Sequence, residues 1–232
     1  MGHHRLEGAP LFGEIDLRID AGQWTCLLGR SGVGKTTLLR LIAGLTCEGE
    51  FQGTIRTNDG RDIQGRAAFM AQSDLLMPWL SVLDNTLLGA RLRGERPDAD
   101  RARDLLGKIG LGDHLGKRPA ALSGGMRQRV ALARTLMEGR PFVFLDEPFS
   151  ALDAGTRAEM QELAAEMLRG KTVLLVTHDP SEAIRLGHRI IVITNKGTQD
   201  WPLPDMAPLR DLAAADVVAS QAALLDFLRS RP

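Results

Sequence analysis

The chain has 232 residues, 44% of them hydrophobic, enough to bury a substantial core in one large domain or a core carrying a subdomain. Lysine plus arginine balances aspartate plus glutamate at 29 each, so no broad basic field exists to hold nucleic acid or an anionic membrane surface. Cys26 and Cys47 stand outside any CxxC or Cys/His cluster, which argues against zinc or redox chemistry and fits a reducing cytosol. No apolar run reaches about 18 residues, and the start MGHHRLEGAP lacks the apolar core of a signal peptide, so neither membrane spanning nor export by that route is expected. His3 and His4 read equally as native residues or as a tag remnant.

Ile15, Leu17 and Ile19 alternate with Glu14, Asp16, Arg18 and Asp20, a period of two that predicts an early strand with one wet face. The run 24–28 is apolar without alternation, as for a strand buried on both faces of a parallel sheet, and a helix over 35–43 closed by Gly44 follows it. Between 73 and 122 the pattern changes to helices with charged faces, such as 100–109, punctuated by GERPD and GKRP; this reads as a helical subdomain inserted into the core. A helix over 124–137, a buried strand over 142–145, a helix over 154–168 stopped near Gly170, and a buried strand over 172–176 complete an α/β order. From Thr198 the tail is broken by Pro202, Pro204 and Pro208 before a last apolar helix from about Val217 to Leu228.

After WTCLL comes Gly29-Arg30-Ser31-Gly32-Val33-Gly34-Lys35-Thr36, which satisfies GxxxxGK[ST] with a strand before it and a helix after it. Composition alone gives the bare pattern in roughly one chain in a hundred of this size, and the flanking elements reduce that further. Glycines allow a tight turn whose N–H groups face phosphate oxygens, and the helix start adds partial positive charge. Lys35 is expected to reach the β- and γ-phosphates, with the Thr36 hydroxyl on Mg²⁺ and Thr37 adjoining the nucleotide.

The strand over 142–145 runs into Asp146 and Glu147. Asp146, at the carboxyl edge of the sheet where ligands of open α/β folds sit, is expected to hold Mg²⁺ through its water shell, and Glu147 to polarise an attacking water. Two acids at a strand end are often simply solvated; the phosphate loop tips the balance to function. His178, after the strand 172–176, is delivered to the same edge, within reach of the γ-phosphate and the attacking water. Gln72, after the apolar run 67–71, offers an amide to Mg²⁺ or water.

Leu122-Ser123-Gly124-Gly125-Met126-Arg127-Gln128-Arg129 opens a helix before Asp146, and with it the chain resembles the ATP-binding subunit of an ABC transporter over residues 11–195. The resemblance implies a P-loop NTPase core with a partly antiparallel N-terminal sheet and an inserted helical subdomain: core 1–72 and 136–200, signature subdomain 73–135, tail 201–232. It makes Gly29 to Thr36 the Walker A loop, Gln72 the Q-loop, 142–146 Walker B, Glu147 the catalytic glutamate, 150–153 the D-loop and His178 the switch histidine. Ser123 with the N–H groups of Gly124 and Gly125 would form a second anion cradle, for the γ-phosphate of ATP held by another copy, so a head-to-tail homodimer on ATP binding is implied. Two departures stand out. The family's aromatic adenine partner is replaced upstream by only His3, His4 and Phe12, and Met126 occupies a position where glutamine is commonest.

The phrase LMPWLSVLDN is similar to cassettes of the nitrate, sulfonate, taurine and pyrimidine-precursor importer group. Leu75, Leu76, Met77, Trp79 and Leu80 there read as a groove for a partner helix or as a loop tucked onto the subdomain. The resemblance implies a peripheral subunit at the cytoplasmic face of the inner membrane. It would drive integral permease subunits and, through them, a periplasmic or extracellular solute-binding protein. Alternatives are an exporter cassette, a soluble ABC ATPase acting on DNA or ribosomes, and a nucleotide kinase. The neutral charge and the signature segment argue against the last two, and no nucleic-acid partner is expected.

Overall fold

The computed structural model describes residues 2–6, 9–30, 32–194 and 197–230, with the backbone alone for 2–6 and 9–14. Its strands are β1 (Gly2–Leu6), β2 (Ala9–Ile15), β3 (Trp24–Gly29), β4 (Glu50–Gly53), β5 (Ala67–Met70), β6 (Phe142–Asp146), β7 (Thr172–Val176), β8 (Arg189–Thr194) and β9 (Gly197–Trp201). Its helices are α1 (Lys35–Ile42), α2 (Val82–Thr86), α3 (Leu88–Leu92), α4 (Ala99–Lys108), α5 (Gly124–Met137), α6 (Ala154–Met167), α7 (Pro180–Leu186) and α8 (Ala215–Ser230). They divide into two compact units, one of Met1–Ala67, Pro141–Asp146 and Gly170–Pro232, the other of Ala68–Arg140 and Glu147–Arg169.

In the first unit β2, β1 and β4 form an antiparallel sheet in that order, as the resemblance implied. The larger sheet carries β6-β7-β3-β8-β9, parallel from β6 to β8, with β9 antiparallel at the edge. Every residue of β3 and β7 is buried, as strands covered on both faces must be, and Leu27, Leu28, Phe144, Leu145 and the run 173–176 make the centre of this core. Helix α1 covers it with Leu38 and Leu39. The helix closes at Ala43 with paired bonds from Gly44 N–H to Leu41 O and from Leu45 N–H to Arg40 O.

The strand expected over 14–20 lies earlier. Its ladder with β1 ends at the pair Gly2↔Ile15, so beyond Ile15 β1 offers no partner and residues 16–20 are irregular. The alternation correctly marks Ile15 as buried, Asp16 as exposed and Leu17 as half-buried, which shows that it reported burial and not pairing.

The second unit is mainly helical. Helices α2, α4 and α5 pack together around Leu105, Leu106, Ile109, Val130 and Leu132, and α6 packs on α5. The starts of α2, α4, α5 and α6 are capped by Ser81, Asp98, Ser123 and Asp153, each accepting a first-turn N–H with its side-chain oxygen.

Candidate functional site

Parallel register decides which residues share an edge. Val176 of β7 pairs with both Leu27 of β3 and Asp146 of β6, so these three strands end side by side. The loop after β3, the carboxylate closing β6 and the Thr177-His178 segment after β7 therefore leave the sheet at one edge, where open α/β folds bind ligands. His178 is exposed there, and Thr177 N–H is tied to Leu27 O at 3.2 Å.

The loop itself is shaped by close approach and by backbone hand. A Cβ on Gly29 would lie 2.9 Å from Ile193 O and 3.0 Å from a Val33 methyl, so only glycine lets β3 run this near β8 at the loop's start. Gly34 has φ 91° and caps α1 without any side-chain bond, in a conformation open to glycine at little cost. The first-turn N–H groups of α1 are thus set out for an anion. Lys35 is buried at 7% exposure and donates Nζ–H bonds to Gly29 O at 2.8 Å and Arg30 O at 3.0 Å. Arg30, Gly32 and Thr36 are exposed, Val33 and Thr37 half-buried, and Ser31 lies outside the described residues.

Thr36 Oγ1 donates to Asp146 Oδ1 at 3.2 Å, and Asp146 is 1% exposed. A hydroxyl and a carboxylate meeting beside a phosphate loop are the hard oxygen donors that suit Mg²⁺, which takes one or two protein ligands and completes its shell with water and phosphate oxygens. Among the described residues no cluster of three or more His, Cys, Asp or Glu stands ready to hold a metal, so the pair fits that shared mode better than an all-protein cage.

In the second unit Glu147, the residue after Asp146, has φ 48°, an uncommon conformation for a residue with a Cβ and one that persists only where surroundings enforce it. They do so here. Glu147 O accepts Ser150 Oγ–H at 3.0 Å and a Gln128 Nε2–H at 3.4 Å, while Gln128 also donates to Pro148 O at 3.1 Å. Gln72, exposed, donates its amide to Glu147 Oε2 at 3.2 Å, so the two join in one pair. Ser123 Oγ accepts Met126 N–H at 3.2 Å, and Ser123 and Gly124 are exposed at the start of α5. Gly125 approaches the chain more closely, since a Cβ there would lie 3.3 Å from Ala151 O.

The side chains of His3, His4 and Phe12, the upstream candidates for adenine, lie outside the described residues. In the segment after Gln72, Leu75 and Trp79 are 57% and 65% exposed, Met77 and Leu80 are half-buried, and Leu76 is buried, so Leu76 is core and not surface. The sequence reading missed what holds this segment. Asn85, fully buried, donates to Met77 O, Leu80 O and Ser81 O and accepts Met77 N–H, while Arg134 donates to Asp74 O and Leu75 O and Arg127 pairs with Asp74. It also missed Gln128. A buried amide among the apolar positions of α5 was the available signal, because such a group must find partners.

The sequence profile of the ABC transporter family matches residues 12–150. An uncharacterized ABC transporter ATP-binding protein of Haemophilus influenzae is 44% identical over 96% of this chain and 94% of its own length. The chain belongs to the ABC transporter family. This cassette is an ATPase of that family. It is 43% identical to an aliphatic sulfonates import ATP-binding protein of Rhodococcus jostii over 97% of this chain and 90% of that one. With the Escherichia coli protein of the same description it shares 47% over 82% of this chain and 73% of that one. It is also similar to an ATP-binding cassette solved as a dimer in a post-hydrolysis state with ADP and Pi. That likeness has a TM-score of 0.71 and 30% identity over 91% of this chain and all of that one. Among the described residues no helix is long and apolar enough to cross a membrane.

Proposed function

We propose that the cassette is the ATP-hydrolysing subunit of an importer. Two copies would close around ATP and power integral permease subunits at the cytoplasmic face of the inner membrane, with a solute-binding protein acting on the far side. The observation that carries the ATPase half is the shared strand edge, where the phosphate loop, the Thr36–Asp146 pair and His178 emerge together. The importer half is supported by the two sulfonate import subunits, which point to small organic anions of that class as cargo.

In this reading Gly29, Arg30, Ser31, Gly32, Val33, Gly34, Lys35, Thr36 and Thr37 enclose the phosphates. Lys35 exchanges its two carbonyl bonds for the β- and γ-oxygens, which are stronger acceptors for an ammonium. Thr36 and Asp146 would hold Mg²⁺, which when bound supplies charge neutralisation at the phosphates. Glu147 takes a proton from the attacking water, its position fixed by its enforced backbone and by Gln72. His178 donates to the γ-phosphate. The exposed start of α5, with Ser123, Gly124 and Gly125, caps the γ-phosphate bound by the other copy, so each site needs two chains. Segment 73–135 serves as the signature subdomain, and Leu75 and Trp79 offer apolar anchors to a permease helix.

Phosphate release by the purified protein tests the chemistry. Glu147→Gln is expected to lower turnover by about a hundredfold or more while ATP binding survives, and parental turnover would remove Glu147 as the base. Capture from detergent-solubilised membranes of the native host, followed by mass spectrometry, tests the coupling. A multi-spanning permease is expected, and recovery of only ribosomal or DNA-repair proteins would contradict it.

A further inference from the structure

Helix α7 begins two residues after His178 and is fixed at both ends. At its start Asp179 Oδ1 accepts Ser181 N–H at 2.8 Å and Ser181 Oγ–H at 2.7 Å. At its end the guanidinium of Arg210, only 5% exposed, donates to Ile184 O at 2.8 Å and Gly187 O at 2.7 Å, while Leu209 and Arg210 N–H both reach Arg185 O. The helix is therefore a fixed platform, anchored by a segment that lies beyond residues 12–150 matched by the family profile.

From that platform Glu182 reaches back. Its carboxylate, in a residue 3% exposed, accepts Thr177 Oγ1–H at 2.6 Å. Thr177, 1% exposed, uses the same oxygen to accept Asp179 N–H at 3.0 Å, and its own N–H is held by Leu27 O on β3. The residues on either side of His178 are thus locked to one buried hydroxyl, and the hydroxyl to one buried acid. A carboxylate this deep is costly unless it is well bonded, and a plain contact between helix and strand is made more cheaply by an apolar side chain.

We propose that the Thr177–Glu182 hydrogen bond is a positioning device for His178. It fixes the backbone that presents the imidazole, so that the exposed ring meets the γ-phosphate at one place and not over a range. Thr177 and Glu182 are positioning residues and touch no substrate themselves. The inference rests on the reading of His178 as the γ-phosphate contact, and it assigns a use to buried polarity which packing alone leaves unexplained.

The experiment is steady-state ATP hydrolysis by the full chain in four forms besides the parent: Thr177→Val, Thr177→Ser, His178→Ala and the double variant Thr177→Val/His178→Ala. Thr177→Val keeps shape and removes the hydroxyl; it is expected to lower kcat about tenfold with KM for ATP within about twofold, as displacement of a reacting group does. Thr177→Ser restores the hydroxyl and is expected to stay within about threefold of the parent. In the His178→Ala background Thr177→Val should cost nothing further, because the device has nothing left to aim. Parental kcat in Thr177→Val, or an equal loss with and without His178, would overturn the proposal. Parental turnover in His178→Ala would instead overturn the role given to His178, so the two failures are distinct. Should Thr177→Val not fold, Glu182→Gln provides a weaker acceptor of the same length and is expected to show the same dependence on His178 at about threefold.

Discussion

Two helices in this molecule begin in glycine-rich sequence, and they begin differently. Helix α1 starts at Gly34 in a left-handed conformation with no side-chain cap, beside a buried lysine turned onto carbonyls of its own loop. Helix α5 starts at Ser123, whose hydroxyl already accepts Met126 N–H. The first is a socket whose donors and cation are set out for an anion. The second is a helix end already capped by a side chain, with Ser123 and Gly124 exposed. N–H groups at a helix start thus stand without a side-chain cap in one place and with one in the other, and the proposed function assigns the first to enclosing a polyphosphate and the second to covering one held by another copy.

The comparison breaks most sharply at Lys35. Lys35→Ala is expected to weaken ATP binding at least a hundredfold by calorimetry, since a charge contact to phosphate is lost. Undiminished affinity would remove the phosphate-socket reading. Next in size is Gln128→Leu. It removes the amide that donates to two carbonyls of the strained turn at Glu147 and is expected to lower kcat about tenfold with ATP affinity retained; unchanged kcat would show that Glu147 holds its place without it.

Ser123→Ala should behave in the opposite sense to Lys35→Ala. Loss of the cap is expected to cost about 1 kcal/mol of stability in denaturant unfolding, with ATP binding to the single chain unchanged. If stability does not move, the hydroxyl is not the working cap.

The smallest effect is at His188, whose Nδ1 accepts Trp24 N–H at 3.1 Å. Partial desolvation of the imidazole, in a residue that is otherwise exposed, and then the Arg210 charge hold this histidine below its ordinary value. The unfolded chain therefore takes up the proton first as the pH falls through about 6.5. Stability should decline modestly with acid across and below that value, and His188→Gln should flatten the slope. A slope identical in the variant would assign the pH dependence to other groups.

Why some of this was legible in the sequence follows from what each signal reports. The strands over 24–28, 142–145 and 172–176 were readable because a parallel strand buried on both faces must be apolar throughout, and α5 because Ser123 and its glycines mark a helix start. The phosphate loop was readable because its spacing is set by chemistry. The strand over 14–20 was misplaced because alternation records which side is wet, not where a partner strand ends. The segment 75–80 stayed open between a groove and a tucked loop because a run of apolar residues does not say which of them points inward; Leu76 is buried while Leu75 and Trp79 are exposed. Gln128 was signalled only by its place among the apolar positions of α5, and Asn85 and Glu182 by nothing: Asn85 is bonded to backbone and Glu182 to the Thr177 hydroxyl, and a polar letter carries no mark of being buried.

The most direct test of the two-chain site is sedimentation velocity of Glu147→Gln with ATP, alone and combined with Lys35→Ala. A dimer is expected with ATP in the single variant, reverting to monomer when Lys35→Ala removes nucleotide binding. A single variant that binds ATP by calorimetry yet sediments as a monomer at every ATP concentration would contradict the account.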